Sequence, residues 1–258
     1  DTLIGGAGND TFTISLGSDT IEDLTTGDVL LVSSEGAVNA ANISNFIATS
    51  ASSNLGFAQL SANNSGSIII LTESINAFGS TLGNYNLIGG EGYDLLTGDI
   101  GDDVIYGADG NDVLDGASGS DTLAGGNGND SITGGTGNDS LQGNPGNDSL
   151  KGEEGSDSIT GGAGNDSLVG GSGDDVYFFS TGDVVSGETI TESGGGGTDV
   201  IAILTSTDFS LMDAASFDEI EEIRFAGSNQ IGTVTGAQLT GETIVLTETA
   251  AGISELIV

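Results

Sequence analysis

From Gly89 to Phe178 the sequence steps in nines without an insertion: GGEGYDLLT, GDIGDDVIY, GADGNDVLD, GASGSDTLA, GGNGNDSIT, GGTGNDSLQ, GNPGNDSLK, GEEGSDSIT, GGAGNDSLV and GGSGDDVYF. All ten units carry Gly at positions one and four and Asp at position six, and nine of the ten have Leu or Ile at position eight. So short a unit cannot bury an apolar face alone, so copies must stack. Positions seven to nine read as a strand of about three residues, and because side chains alternate along a strand, the position-eight residues Leu96, Ile105, Leu114, Leu123, Ile132, Leu141, Leu150, Ile159 and Leu168 face inward. The G-x-x-G-x-D segment reads as the turn, where glycine permits a positive φ and close approach of one loop to the next. Two units make one coil, and alternate units stack along the same edge.

This stacking puts aspartates in rows. One edge carries Asp94, Asp112, Asp130, Asp148 and Asp166, and the other Asp103, Asp121, Asp139, Asp157 and Asp175. Neighbours in a row stand about 5 Å apart, the strand spacing, where bare carboxylates repel and one of a pair is driven to protonate. The whole chain shares this imbalance: 39 acidic residues face only Lys151 and Arg224, a formal net charge of −37. Such a charge repels nucleic acid and anionic lipid and resists compaction unless cations bind. His and Cys are absent. Disulfides, thiolate nucleophiles and imidazole metal sites are therefore excluded, and any metal must be a hard cation held by oxygen. No apolar run approaches the roughly eighteen residues a membrane span requires.

The pattern G-G-x-G-x-D-x-U-x, with U a large apolar residue, resembles the RTX, or haemolysin-type calcium-binding, family. The resemblance covers the whole block and implies a right-handed parallel β-helix, the β-roll, with Ca2+ between stacked loops. In that family each ion lies between successive loops of one edge and takes Asp and turn carbonyls from both. Carried onto this sequence, a representative site pairs Asp112 and Asp130 with carbonyls of Gly107, Asp109, Gly126 and Gly128. Five loops per edge leave four gaps, so about eight ions are expected in the block. Position two departs from glycine at Asp99, Ala108, Ala117, Asn144 and Glu153. Pro145, at position three of its unit, loses an amide but keeps its carbonyl, so the site near Asp148 is expected to persist with an altered loop. Tyr177 replaces the aliphatic residue of the last unit and reads as a cap on the regular roll.

The same step marks the start of the chain. Asp1, Asp10, Asp19 and Asp28 are spaced by nine, with Leu3, Phe12, Ile21 and Leu30 two places after each. Asp1 with Asp19, and Asp10 with Asp28, are candidates for a few additional, weaker Ca2+ sites; periodicity surviving without metal is the equal alternative. The flanks also echo each other, as in AQLSANNSGSIIILTES (58–74) and AQLTGETIVLTET (237–249). The organisation expected is all-β: residues 1–31 the tail of a degenerate repeat block, 32–88 a β-rich module, 89–178 the calcium-binding β-roll, and 179–258 a second module related to the first. Segments 38–50 and 211–223 suit a short helix, although FDEIEEIRF (217–225) alternates equally well as a strand. Both ends read as cut from a longer polypeptide.

The first expectation for function is a structural segment of a secreted bacterial surface protein, resembling S-layer proteins and adhesins of Gram-negative bacteria or cyanobacteria, that folds on meeting extracellular Ca2+. Its partners are calcium, other copies of itself and cell-surface polysaccharide, not nucleic acid or a bilayer. A second is the non-catalytic secretion and folding module of an exported enzyme. A third is a glycan- or ice-binding module using the outward Ser131, Ser140, Ser149, Ser158 and Ser167. Catalysis within these residues is not expected, since no His or Cys supplies a nucleophile–base pair and the regular carboxylates are committed to the loops.

Overall fold

A computed structural model describes residues 1–14, 17–24, 28–32, 36–43, 45–47, 53–54, 57–62, 68–70, 85–89, 91–98, 100–192, 196–212, 220–226, 231–233, 245–248 and 255–257. Among these residues the chain is all-β, a parallel β-roll apart from a single 3-10 turn at Phe209–Leu211. In the repeat block every step of eighteen residues returns the chain to the same sheet. Val104–Asp109, Thr122–Asn127, Ser140–Pro145 and Ser158–Ala163 lie side by side in one sheet, and Val113–Ser118, Ser131–Thr136, Ser149–Glu154 and Ser167–Ser172 in the other. All these neighbours are parallel and in register, so that Leu123 stands against Ile105 and Leu141, and Ile132 against Leu114 and Leu150.

The strands are longer than the three-residue expectation. Each full strand has six residues, for example Ser131–Thr136, because pairing continues from position seven through position three of the next unit. Only G-x-D remains as the turn. Gly110 at position four donates its N–H to the Asn127 carbonyl at 2.8 Å, and Ser131 at position seven donates to the Asp112 carbonyl at 2.8 Å, so the ladder is taken up on both sides of the bend. Pro145 fits this ladder through its carbonyl, which accepts the Gly128 N–H at 3.0 Å. The loop holding Asp148 keeps the geometry of its neighbours, with the Asp130 N–H donating to the Asp148 carboxylate at 2.8 Å.

Alternation along these strands sets the core. Position eight and the following position one both face inward, which makes the interior a column of aliphatic side chains bordered by glycine. All nine predicted aliphatic residues, Leu96 to Leu168, are 0–1 % exposed. Burying each contributes roughly 1.5–3 kcal/mol relative to leaving it in water. Tyr177 does not end this column. It is wholly buried, and its strand Val176–Phe179 pairs on one side with Ser158–Ala163 and on the other with Val200–Ile203. The core runs on through Phe179, Ile201, Ile203, Ile223 and Phe225, with Phe179 and Phe209 meeting edge to face at 5.2 Å.

The flanks therefore extend the same sheets with longer coils. Val176 pairs with Val200, twenty-four residues on, Val200 with Glu222, twenty-two on, and Glu222 with Val245, twenty-three on. Toward the N-terminus, Tyr85 pairs with Ala58, twenty-seven residues back, whereas Thr2 and Thr20 keep the eighteen-residue step. Of the four sheets among the described residues, one has thirteen strands, from Thr2–Leu3 to Val245–Glu248, and one has eight, from Asn45–Ile47 to Thr189–Thr191; the flanks add two of three strands, Thr11–Ile14 with Val29–Val32 and Ser53–Asn54, and Thr207–Asp208 with Ile231–Thr233 and Glu255–Ile257. Of the two segments suited to a helix, the first contains strands Gly36–Ile43 and Asn45–Ile47, and residues 48–50 lie outside the described residues. In the second, Glu222–Phe225 is a strand and residues 213–219 lie outside them. No helix among the described residues is long and apolar enough to cross a membrane.

Candidate metal centre

Position six is the last residue before each strand, and there the chain turns its carboxylate into the loop. The ten repeat aspartates are 0–3 % exposed, an extreme degree of burial for a charged residue. From Asp103 to Asp175, one oxygen of each is tied to the preceding coil. The amides of Asp94, Asp112, Asp130 and Asp148 donate to Oδ1 of Asp112, Asp130, Asp148 and Asp166, each at 2.8 Å. On the other edge the amides of Tyr85, Asp103, Asp121, Asp139 and Asp157 donate to Asp103, Asp121, Asp139, Asp157 and Asp175 at 2.6–2.8 Å.

The second oxygen is different. Oδ2 of Asp112, Asp121, Asp130, Asp139, Asp148, Asp157, Asp166 and Asp175 is buried without a hydrogen-bond partner. These atoms explain the glycine at position one. That residue faces inward two places after the aliphatic side chain, and a Cβ on Gly107 would meet Asp112 Oδ2 at 2.5 Å and the Gly125 carbonyl as well. Glycine thus leaves open a small space walled by a carboxylate oxygen and a main-chain carbonyl of the next coil. The glycine at position four makes the loops approach closely: Gly128 has φ +137°, and a Cβ there would collide with the Gly110 carbonyl.

Buried oxygens of like charge in rows shift the titration of the carboxyls. Burial, against the opposing pull of the Asp103 amide and with the charges of Asp103, Asp139 and Asp102 adding to it, pushes Asp121 up to about 8. The same cause pushes Asp148 and Asp157 up to about 7 and Asp112 and Asp175 up to about 6. Asp130, Asp139 and Asp166 are also raised by burial. Ionising the rows is thus opposed by burial and mutual repulsion, which a proton or a bound cation relieves. The donor set of carboxylate and carbonyl oxygens, with no His or Cys in the chain, suits Ca2+.

The carbonyls implied by the family resemblance are distributed otherwise. The Gly107 carbonyl faces Gly89 in the preceding coil, near Asp94 Oδ2, and the Asp109 carbonyl accepts the Gly92 N–H there at 2.5 Å. The Gly128 carbonyl lies over Gly146 in the following coil, and Gly126 rests its Cα against the Ala108 carbonyl. Carbonyls bordering the gap between the Asp112 and Asp130 loops are those of Ala108, Gly110 and Gly125. The Asp109 side chain is exposed and accepts a hydrogen bond from Asn127 Nδ2 at 2.7 Å. In the first repeats the Asp10 N–H donates to Asp28 Oδ1 at 2.9 Å, the Asp1 N–H donates to Asp19 Oδ1 at 2.8 Å, and Asp28 is buried. The spacing of nine thus brings each of these pairs together in the repeat arrangement.

Both carboxylate rows continue past the last unit, which the repeat register did not reveal. The Asp166 amide donates to Glu188 Oε2 at 3.2 Å, the Asp175 amide to Asp199 Oδ1 at 2.9 Å, and the Asp199 amide to Glu221 Oε2 at 2.8 Å. Glu188 is 1 % exposed with Oε1 lacking a hydrogen-bond partner, and burial pushes it up to about 8. A weaker signal was present: an acidic residue, one residue, then Ile, as in Glu188-Thr189-Ile190, Asp199-Val200-Ile201 and Glu221-Glu222-Ile223, repeats the Asp-x-Leu/Ile of the units without their glycines.

Compared with known protein families, the sequence matches the RTX calcium-binding nonapeptide repeat in four copies, at residues 1–21, 83–114, 115–150 and 142–177. No curated protein matches it.

Proposed function

The chain carries RTX calcium-binding nonapeptide repeats, which bind Ca2+, and on this premise we propose that it is a structural segment of a secreted bacterial cell-surface protein that folds and stiffens on meeting extracellular calcium. The observation that supports this reading is the pair of buried Asp rows, in which Asp112, Asp121, Asp130, Asp139, Asp148, Asp157, Asp166 and Asp175 are each held by the preceding coil at one oxygen and unpartnered at the other. Such a stack is self-repelling when ionised. Bound Ca2+ supplies the charge that the loops lack and accepts oxygen donors from both sides of a gap. The residues that hold it are the position-six aspartates Asp94 to Asp175, with turn carbonyls, in about eight gaps of the block by the stacking rule. Asp1, Asp10, Asp19 and Asp28 make a lesser set.

Extracellular calcium modules bind at roughly 10⁻⁴ to 10⁻³ M, so the chain stays open at cytosolic calcium and closes outside the cell. The segment is not catalytic; its product is a rigid, acidic rod serving surface-layer assembly or adhesion, with other copies of itself or cell-surface polysaccharide as partners. A titration of the full chain from excess chelator into millimolar CaCl2, followed by far-ultraviolet circular dichroism, tests the switch. Cooperative gain of β structure is expected. Full β structure in chelator at neutral pH, unchanged by calcium, sinks it.

A further inference from the structure

The point where regular coils give way to longer ones carries an acidic cluster of which the repeats supply only one member, Asp175. Asp175 precedes the strand Val176–Phe179, Glu192 follows Thr189–Thr191, and Asp199 precedes Val200–Ile203. A carboxylate oxygen from each of the three lies within 4.8 Å of the others. Glu192 and Asp199 fall beyond residue 177, where the match to the nonapeptide repeat ends.

Acidic clusters are common on acidic proteins, but this one has an interior. Asp175 is 0 % exposed, and its Oδ2 has no hydrogen-bond partner. That oxygen is aimed into the cluster: a Cβ built on Gly170 would meet Asp175 Oδ2, Tyr177 Oη at 2.7 Å and Glu192 Oε1 at 2.8 Å. Three oxygens from two segments, the start of Val176–Phe179 and the end of Thr189–Thr191, thus surround one small space, with the Asp199 carboxylate within reach of both acidic members. The remaining oxygens hold the walls in place. Asp175 Oδ1 accepts the Asp157 N–H at 2.8 Å, Asp199 Oδ1 accepts the Asp175 N–H at 2.9 Å, and Glu192 Oε2 accepts the Gly171 N–H at 3.3 Å. The Tyr177 hydroxyl donates to Glu192 Oε1. Lys151 and Arg224 are the chain's only cationic side chains. Arg224 is paired with Glu222, and among the described residues no ion pair joins either to the cluster.

We propose that Asp175, Glu192 and Asp199, with the Tyr177 hydroxyl oxygen beside them, form a separate divalent-cation site of calcium type that fastens the first long coil to the end of the nonapeptide stack. Oxygen donors alone, three of them anionic, match the preference of Ca2+ and offer nothing to softer metals. The site differs from those of the repeats in its ligand source. Within the block, facing loops are both glycine-rich turns of nine-residue units, whereas here a glutamate reaches back from a coil of different length. It rests on calcium binding by the chain only in sharing the same ion.

Equilibrium dialysis of the full chain against CaCl2, and of Glu192→Gln beside it, reads the site directly. Glu192→Gln is expected to bind about one ion fewer per chain while retaining the rest. Tb3+ in place of Ca2+ gives a second readout, because a tyrosine at the site sensitises its emission and the chain has no Trp. Tyr177→Phe is expected to lower the tyrosine-excited emission at an unchanged ion count, and it decides the matter if Glu192→Gln does not fold. An unchanged count in Glu192→Gln, or unchanged emission in Tyr177→Phe, overturns the proposal while leaving the repeat sites standing. A full chain that binds no calcium overturns both readings.

Discussion

Replacing Asp121 by Asn is expected to move stability in opposite directions with and without calcium. Asp121 is 2 % exposed; its Oδ1 accepts the Asp103 N–H at 2.6 Å and its Oδ2 has no partner. Burial first, then the charges of Asp103, Asp139 and Asp102, raise its carboxyl from 3.8 to about 8 in the folded chain. Because the folded value lies above the unfolded one, this group favours the fold at acid pH and opposes it as pH rises toward that value. At pH 7 the difference spans about three pKa units, an upper limit of about 4 kcal/mol, reduced to about 2 kcal/mol by solvent screening at the loop. Asn keeps the oxygen that accepts from Asp103 and removes the charge. A Cβ on Gly116 would meet the Gly134 carbonyl at 2.6 Å beside Asp121 Oδ2, so that carbonyl stands near where the Asn amide would donate. In chelator at pH 7, Asp121→Asn is therefore expected to be more stable than the unsubstituted chain by about 2 kcal/mol, or roughly 4–8 °C in Tm. In saturating calcium it is expected to be less stable, having lost a ligand from the gaps on both sides. Thermal unfolding followed by circular dichroism under the two conditions provides the comparison. A variant destabilised equally with and without calcium would refute the reasoning, for the carboxylate would then be an ordinary packing group.

The same linkage makes protons a partial substitute for calcium: in chelator the chain is expected to gain β structure as pH falls from about 8 to about 5, through the raised values of Asp121, Asp148, Asp157, Asp112 and Asp175. A pH titration by circular dichroism checks it, and loss of structure over that range contradicts it. Leu141→Ala, at a position 1 % exposed in mid-stack, is expected to cost about 2–5 kcal/mol in calcium, measured by denaturant unfolding. Position two separates space from strain. Glu153 stands at φ +80° where glycine is at ease, so Glu153→Gly is expected to stabilise by about 1 kcal/mol, whereas Gly135→Ala, whose Cβ would strike the Ala117 carbonyl, is expected to destabilise by more than that.

The position-two pattern shows where sequence reading stopped. Ala108, Ala117, Asn144 and Glu153 look like scattered departures from glycine, yet from unit three onward they alternate with glycines along each edge: Ala108, Gly126, Asn144, Gly162 on one and, after Asp99 of unit two, Ala117, Gly135, Glu153, Gly171 on the other. The side chains sit at φ 75–86° and the glycines at φ 108–116°, where a Cβ would run into the carbonyl of the preceding coil. That constraint acts between units eighteen residues apart and is invisible within one unit. The aliphatic column and the two Asp rows were legible because strand alternation and the nine-residue step fix both directly. Carbonyl directions were not, since whether Gly107 or Gly125 faces Asp112 depends on peptide orientation and not on residue type. Glu188 and Asp199 escaped for a related reason: coils of twenty-two and twenty-four residues break the arithmetic while the sheet, held by Ile190 and Ile201, keeps its register.

The central claim, that the buried Asp rows are calcium sites, is tested most directly by counting ions. Equilibrium dialysis of the full chain at neutral pH against millimolar CaCl2 should find several ions per chain, about eight from the repeat block. Paired substitutions that leave Asp130 and Asp139 as Asn should lower that number by several. A chain that takes up none, or whose uptake is unchanged when those two carboxylates are removed, contradicts the account.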